Sequence, residues 1–130
     1  MQAAATSTAA AHRLLAIREA RLVASLQRAM AAAPAAVFDT WMLRESDLVQ
    51  ATAEAFVTGH VAAASAAAAA AAPAALRGVL APLLRLDALV RVEQHLEWYL
   101  LEGLVAPAAA KQVRLFCAFA AQHRSRQLQC

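Results

Sequence analysis

No stretch of this chain alternates apolar and polar residues as a half-buried strand would; its apolar positions recur instead at spacings of three and four. With only three glycines and four prolines among 130 residues, that pattern points to an all-α fold. Roughly 30% of the chain is alanine, the strongest helix former, which loses no rotamer entropy and buries little area per residue. The hydrophobic fraction of 62% therefore overstates the core. Combined with only 16% charged residues, it still excludes a disordered chain. The length suits one domain with one core.

Prolines and one glycine divide the chain into four helical stretches. The first runs from about Ala10 to Ala32, with Leu14, Leu15, Ile17, Leu22, Leu26 and Met30 as its apolar stripe. Arg13, Arg18, Arg21 and Arg28 are expected to face outward, and Pro34 ends the helix because it lacks an N–H and clashes with the preceding turn. The second stretch, Ala36 to Ala72, would span roughly 50 Å if continuous, with an irregular turn expected near Asp39 and Thr40. Phe38, Trp41, Leu48, Val49, Thr52, Phe56 and Val61 recur mostly at helical spacings and predict its buried side. Gly59, costly in mid-helix, predicts close approach by a neighbouring backbone.

A third helix is expected from Ala75 to Glu102, kinked or begun near Pro82, with Leu76, Val79, Leu80, Leu83, Leu86, Leu89, Val90, Leu96 and Leu100 inward. Gly103 suits the left-handed residue after a helix end. Pro107 suits the first turn of a fourth helix reaching about His123, with Val113, Phe116, Cys117 and Ala120 buried. Short links favour antiparallel neighbours, hence an up-and-down bundle of about four helices. Its expected limits are 13–124, between a flexible segment 1–12 and a frayed tail 125–130.

The net charge of +3 is carried almost wholly by arginine, since Lys111 is the only lysine. The arginines are spread along the chain and interrupted by acids, apart from Arg124 and Arg126, unlike the clustered basic face of a nucleic-acid binder. Such a composition accords with a GC-biased genome. Cys117 and Cys130 form neither a metal-ligand spacing nor a disulfide framework, which fits a reducing compartment. Residues 1–11 carry no charge apart from the terminus and so lack the basic start of a secretory signal, although Met1 to Ala36, with Glu19 its only acid, also allows a transit-peptide reading. Val61 to Leu76 is uncharged but too weakly apolar, and too short, for a membrane span.

His12, His60, His95 and His123 lie far apart, and no Glu-x-x-His pair occurs, which disfavours a di-iron carboxylate site. Glu93 and Glu97, one turn apart, suggest a carboxylate pair, but a solvated or arginine-paired face is the commoner outcome. Ser25, Ser46, Ser65 and Ser125 lack a nucleophile elbow, and no Gly-rich loop could cradle a phosphate. Phe38 with Trp41, and Trp98 with Tyr99, read as core or interface anchors rather than ligand-stacking pairs. No residue is assigned a catalytic, cofactor-binding or metal-binding role.

Two blocks of sequence resemble the C-terminal helical domain of acyl-CoA oxidases. The first comprises Arg18-Glu19-Ala20-Arg21-Leu22-Val23-Ala24-Ser25-Leu26, then Phe38-Asp39-Thr40-Trp41 and Asp47-Leu48-Val49-Gln50-Ala51. The second runs through Leu76-Arg77-Gly78-Val79-Leu80, Leu83-Leu84-Arg85-Leu86, Ala88-Leu89, Val92-Glu93 and Trp98-Tyr99-Leu100-Leu101-Glu102-Gly103 to Pro107. The resemblance covers about Leu14 to Phe116 and lies in the order of the pieces, each of which alone is common in helices. Asp87 departs from the family, which usually has an aromatic residue there, and so do Pro82 and the stretch after Phe116.

The resemblance implies part of a flavoprotein that desaturates acyl-CoA at the α–β bond, passes electrons from reduced FAD to oxygen and releases hydrogen peroxide in peroxisomal fatty acid β-oxidation. The family's catalytic base and flavin-cradling β-domain correspond to nothing in these residues. The implied role is a scaffold that packs over the other domains and supports a homodimer. FAD and acyl-CoA would be bound only by the complete enzyme, and no nucleic-acid partner or membrane span is implied. A peroxisomal location is implied, although the chain ends without a Ser-Lys-Leu-type signal; otherwise a cytoplasmic one is expected. The alternative from another class is a stand-alone helical interaction module, docking through the long alanine-smooth helix and the pairs Phe38/Trp41 and Trp98/Tyr99.

Overall fold

The computed structural model describes residues 6–127, of which 123–127 are described as backbone only. Residues 1–5 and 128–130, parts of the expected lead-in and tail, lie outside the described residues, as do Cys130 and the side chains of His123, Arg124 and Arg126. The described residues are all-α, with no strand among them. Among the described residues six α-helices occur, where about four were expected: α1 (Thr8–Ala32), α2 (Val37–Asp39), α3 (Ser46–Ala71), α4 (Ala74–Gln94), α5 (Leu96–Leu101) and α6 (Pro107–Gln127). They belong to two compact units, one of Leu15–Val61 and the other of Met1–Leu14 with Ala62–Cys130.

Helix α1 begins two residues before the expected start because Ser7 caps it. The Ser7 hydroxyl oxygen accepts a hydrogen bond from the Ala10 N–H at 3.1 Å, satisfying a first-turn donor that the helix itself cannot. The helix stops at Ala32, and Pro34 opens a single 3₁₀ turn, Pro34–Ala36. The buried positions Ala11, Leu15, Arg18 and Leu22 follow a four-three-four spacing, so one stripe of the helix is covered. Arg18, expected to face outward, occupies an apolar slot in that stripe and is only 6% exposed. Arg13, Arg21 and Arg28 are exposed, as expected.

The second stretch is not one helix. After α2 come five residues of π-helix, Thr40–Arg44, closed by the Glu45 N–H donating to the Thr40 carbonyl at 2.8 Å. Glu45 leaves the helical region at φ −117°, and α3 restarts at Ser46. The irregular turn expected near Asp39 and Thr40 is therefore present, and it is wider than a turn of α-helix.

Within the unit Leu15–Val61, the buried side of α3 differs from the expected one. Thr52 and Ala55 are buried, and Gly59 is partly covered, at three-four spacing. Phe38, Trp41, Phe56 and Val61, expected inward, are exposed. The physical reason is steric: the bulky Leu15, Arg18 and Leu22 of α1 fill their buried stripe, while small residues make up the covered stripe of α3. Bulk on both stripes would overpack the space. Thr52 satisfies its own hydroxyl by donating to the Leu48 carbonyl at 2.7 Å.

In the other unit, α4 and α6 form the main helix pair and α5 also packs on α6. Helix α4 begins at Ala74, so it does not start near Pro82, which lies inside it; it ends at His95, whose φ of −120° and ψ of 25° close the helix before α5 begins. Ala88, Leu89, Val92, Leu96 and Tyr99 are buried across this break. The first half of α4 behaves otherwise: Leu76, Val79 and Leu83, expected inward, are exposed. On α6, Val113 and Cys117 are buried as expected, while Phe116 and Ala120 are only partly covered. Burying Leu89, Val92 and Val113 contributes roughly 1.5–3 kcal/mol each.

The end of α5 is set by Gly103, as expected. At φ +66° it adopts the left-handed conformation, its N–H donating to the Leu100 carbonyl (3.1 Å) and the Leu104 N–H to the Tyr99 carbonyl (3.0 Å). Those two bonds make a Schellman motif. Pro107 opens α6, where its missing N–H costs nothing.

Candidate functional surfaces

The unit Leu15–Val61 presents an apolar run at its irregular segment. Between Val37 and Leu43, five of seven side chains are large, apolar and exposed: Val37, Phe38 (72%), Trp41 (42%), Met42 and Leu43 (74%). A backbone that passes from 3₁₀ through one α turn into π-helix distributes these side chains around the segment. Thr40 alone turns inward, and its hydroxyl has no hydrogen-bond partner among the described residues. Isolated exposed apolar side chains are ordinary on protein surfaces; five in one seven-residue segment are the mark of an interaction site. Phe38 and Trp41 thus fall on the surface side of the choice between core and interface anchors.

The same unit buries a charge. The Arg18 guanidinium donates through Nη2 to Glu54 Oε2 at 3.4 Å, while its Nε has no partner among the described residues. Glu54 is about half exposed, so water screens much of this pair. Nearby, a Cβ built on Gly59 would stand 2.6 Å from Glu19 Oε2. The neighbour at Gly59 is therefore a carboxylate side chain, not the expected backbone. One turn of helix before His60, the Phe56 ring lies 4.1 Å from the imidazole (centroid to centroid), and His60 Nδ1 is 3.0 Å from the Phe56 carbonyl oxygen.

In the other unit a side-chain cluster forms that no local motif announces. Arg85 of α4 donates through Nε to the Thr6 carbonyl (2.7 Å) and through Nη2 to the Thr6 hydroxyl (3.0 Å). Its guanidinium carbon also lies 4.8 Å from the centre of the Phe116 ring on α6. One arginine thus ties the residue before the α1 cap to both members of the main helix pair. Asp87 and Arg91, one turn apart on α4, pair at 2.9 Å at the surface, so the residue that departs from the oxidase pattern has a local electrostatic partner.

Glu93 and Glu97, whose spacing suggests a carboxylate pair, fall on different helices, with the break at His95 between them. Glu93 instead accepts a hydrogen bond from the thiol of Cys117 on α6. Burial pushes that thiol up from its ordinary 9.0 to about 11, and the Glu93 charge and hydrogen bond push the same way, since each favours the protonated sulfur. A thiol held protonated is a poor nucleophile and a poor metal ligand. Trp98 and Tyr99 meet edge to face at 5.2 Å, Tyr99 fully buried and Trp98 partly so, which places them as core anchors.

Between α4 and α6 lies a cleft of about 470 Å³ lined mainly by Leu83, Leu86, Val90, Cys117 and Ala120, with Asp87 at its polar edge. No three His, Cys, Asp or Glu side chains among the described residues come together as a metal-holding group. No described helix is long and apolar enough to cross a membrane. In comparisons with known proteins, no family model, no curated protein and no solved structure matches this chain.

Proposed function

We propose that this chain is a helical scaffold that acts by docking an apolar surface onto another polypeptide surface. The observation that carries this reading is the exposed run Val37, Phe38, Trp41, Met42 and Leu43. Exposing side chains of this size to water forgoes roughly 1.5–3 kcal/mol each relative to full burial, and a covering partner recovers much of that. The exposed Leu76, Val79 and Leu83 on α4, and Leu115 and Phe119 on α6, extend the same argument to the other unit.

The partner we propose is the remainder of an acyl-CoA oxidase subunit, with these helices arranged as the up-and-down bundle of that family's C-terminal domain. The oxidase assignment rests on the ordered sequence blocks from Arg18 to Ala51 and from Leu76 to Pro107; the all-α composition of the described residues accords with it. In this reading FAD-dependent α,β-desaturation belongs to the complete enzyme, as do acyl-CoA binding, the homodimer and the peroxisomal location. The chain alone is inactive and binds no flavin. A purified protein that is yellow, with absorbance near roughly 450 nm from an oxidised flavin, overturns this.

A second reading keeps the docking role without the oxidase: a stand-alone helical interaction module. It needs only the exposed run at 37–43. Photo-crosslinking from a benzophenone amino acid placed at Phe38 or Leu43, performed in the native cell, separates the two. Adducts to a flavin-binding oxidase polypeptide support the first reading, and adducts to an unrelated protein support the second. A surface that yields no adduct from either position removes the docking role itself.

A further inference from the structure

We draw no further inference here: the strongest candidate, the apolar cleft between α4 and α6 bordered by Asp87 and the protonated Cys117 thiol, is a groove for which nothing in the structure shows an occupant.

Discussion

Arg85 and Thr6, 79 residues apart in sequence, are joined by two hydrogen bonds from one guanidinium, to the carbonyl and to the hydroxyl of the same threonine. Arg85→Met keeps the apolar stem and removes both bonds together with the contact to the Phe116 ring. The expected loss is roughly 2–3 kcal/mol of unfolding free energy. Thr6→Val removes only the hydroxyl and is expected to cost about 1 kcal/mol. Urea denaturation of the two variants measures both; equal losses would mean that the bond to the Thr6 carbonyl and the contact to the Phe116 ring together contribute nothing.

Arg18 is expected to be replaceable by a residue of similar shape. Its Nε lacks a partner among the described residues and its ion pair with Glu54 is screened, so the buried charge stabilises little. Arg18→Met should therefore be neutral or up to about 2 kcal/mol more stable, whereas Arg18→Ala leaves a void and should lose roughly 1–3 kcal/mol. A methionine variant as damaged as the alanine one would show that the charge itself holds the unit together.

The three glycines are expected to respond differently to alanine. Gly78 faces open space within α4, so Gly78→Ala should stabilise by about 0.5–1 kcal/mol through helix propensity alone. Gly59→Ala gains the same term but displaces the Glu19 carboxylate, the far end of a flexible side chain, so a gain of less than about 1 kcal/mol is expected. Gly103→Ala is strained at φ +66° and should lose roughly 1 kcal/mol. Thermal midpoints recorded side by side should rank the variants Gly78→Ala highest and Gly103→Ala lowest.

Cys117 makes the fold sensitive to alkali. The folded thiol keeps its proton to about 11, while an unfolded one ionises near 9.0. The unfolded state therefore sheds this proton first as pH rises. The contribution is fully present below pH 9.0 and is lost as pH climbs through about 11. In a Cys130→Ser background, iodoacetamide at pH 8 should modify native Cys117 at least about 100-fold more slowly than the unfolded chain, the ratio of thiolate fractions. Equal rates would place the thiol in solvent.

The exposed run predicts substitutions that change association without changing the fold. Phe38→Ser combined with Leu43→Ser removes two side chains that are more than two-thirds exposed, so stability should move by less than about 0.5 kcal/mol. Solubility should rise, and crosslinking to the docking partner from a benzophenone placed at the neighbouring exposed Val37 should fall. A cooperative loss of stability in the double variant would instead assign these side chains to the core.

Periodicity and punctuation by themselves determined that the chain is helical and where several helices begin and end. Proline's missing N–H acts within one turn, and so does glycine's freedom at positive φ, which is why Pro34, Gly103 and Pro107 were legible as boundaries. Val113 and Cys117 were legible as buried for the same local reason. Which side of α3 is covered was not legible, because hydrophobicity ranks Phe56 and Val61 above Thr52 and Ala55, while packing against a stripe of Leu15, Arg18 and Leu22 selects for small volume. Nor did anything local mark the break at His95, the burial of Arg18 or the pairing of Glu93 with Cys117. Arg18 and Glu93 meet partners distant in sequence, and the Arg85–Thr6 clasp, spanning 79 residues, is the extreme case. Tertiary structure alone decided these, because the free energy of a side chain's surroundings depends on what the fold brings beside it, whatever its neighbours along the chain.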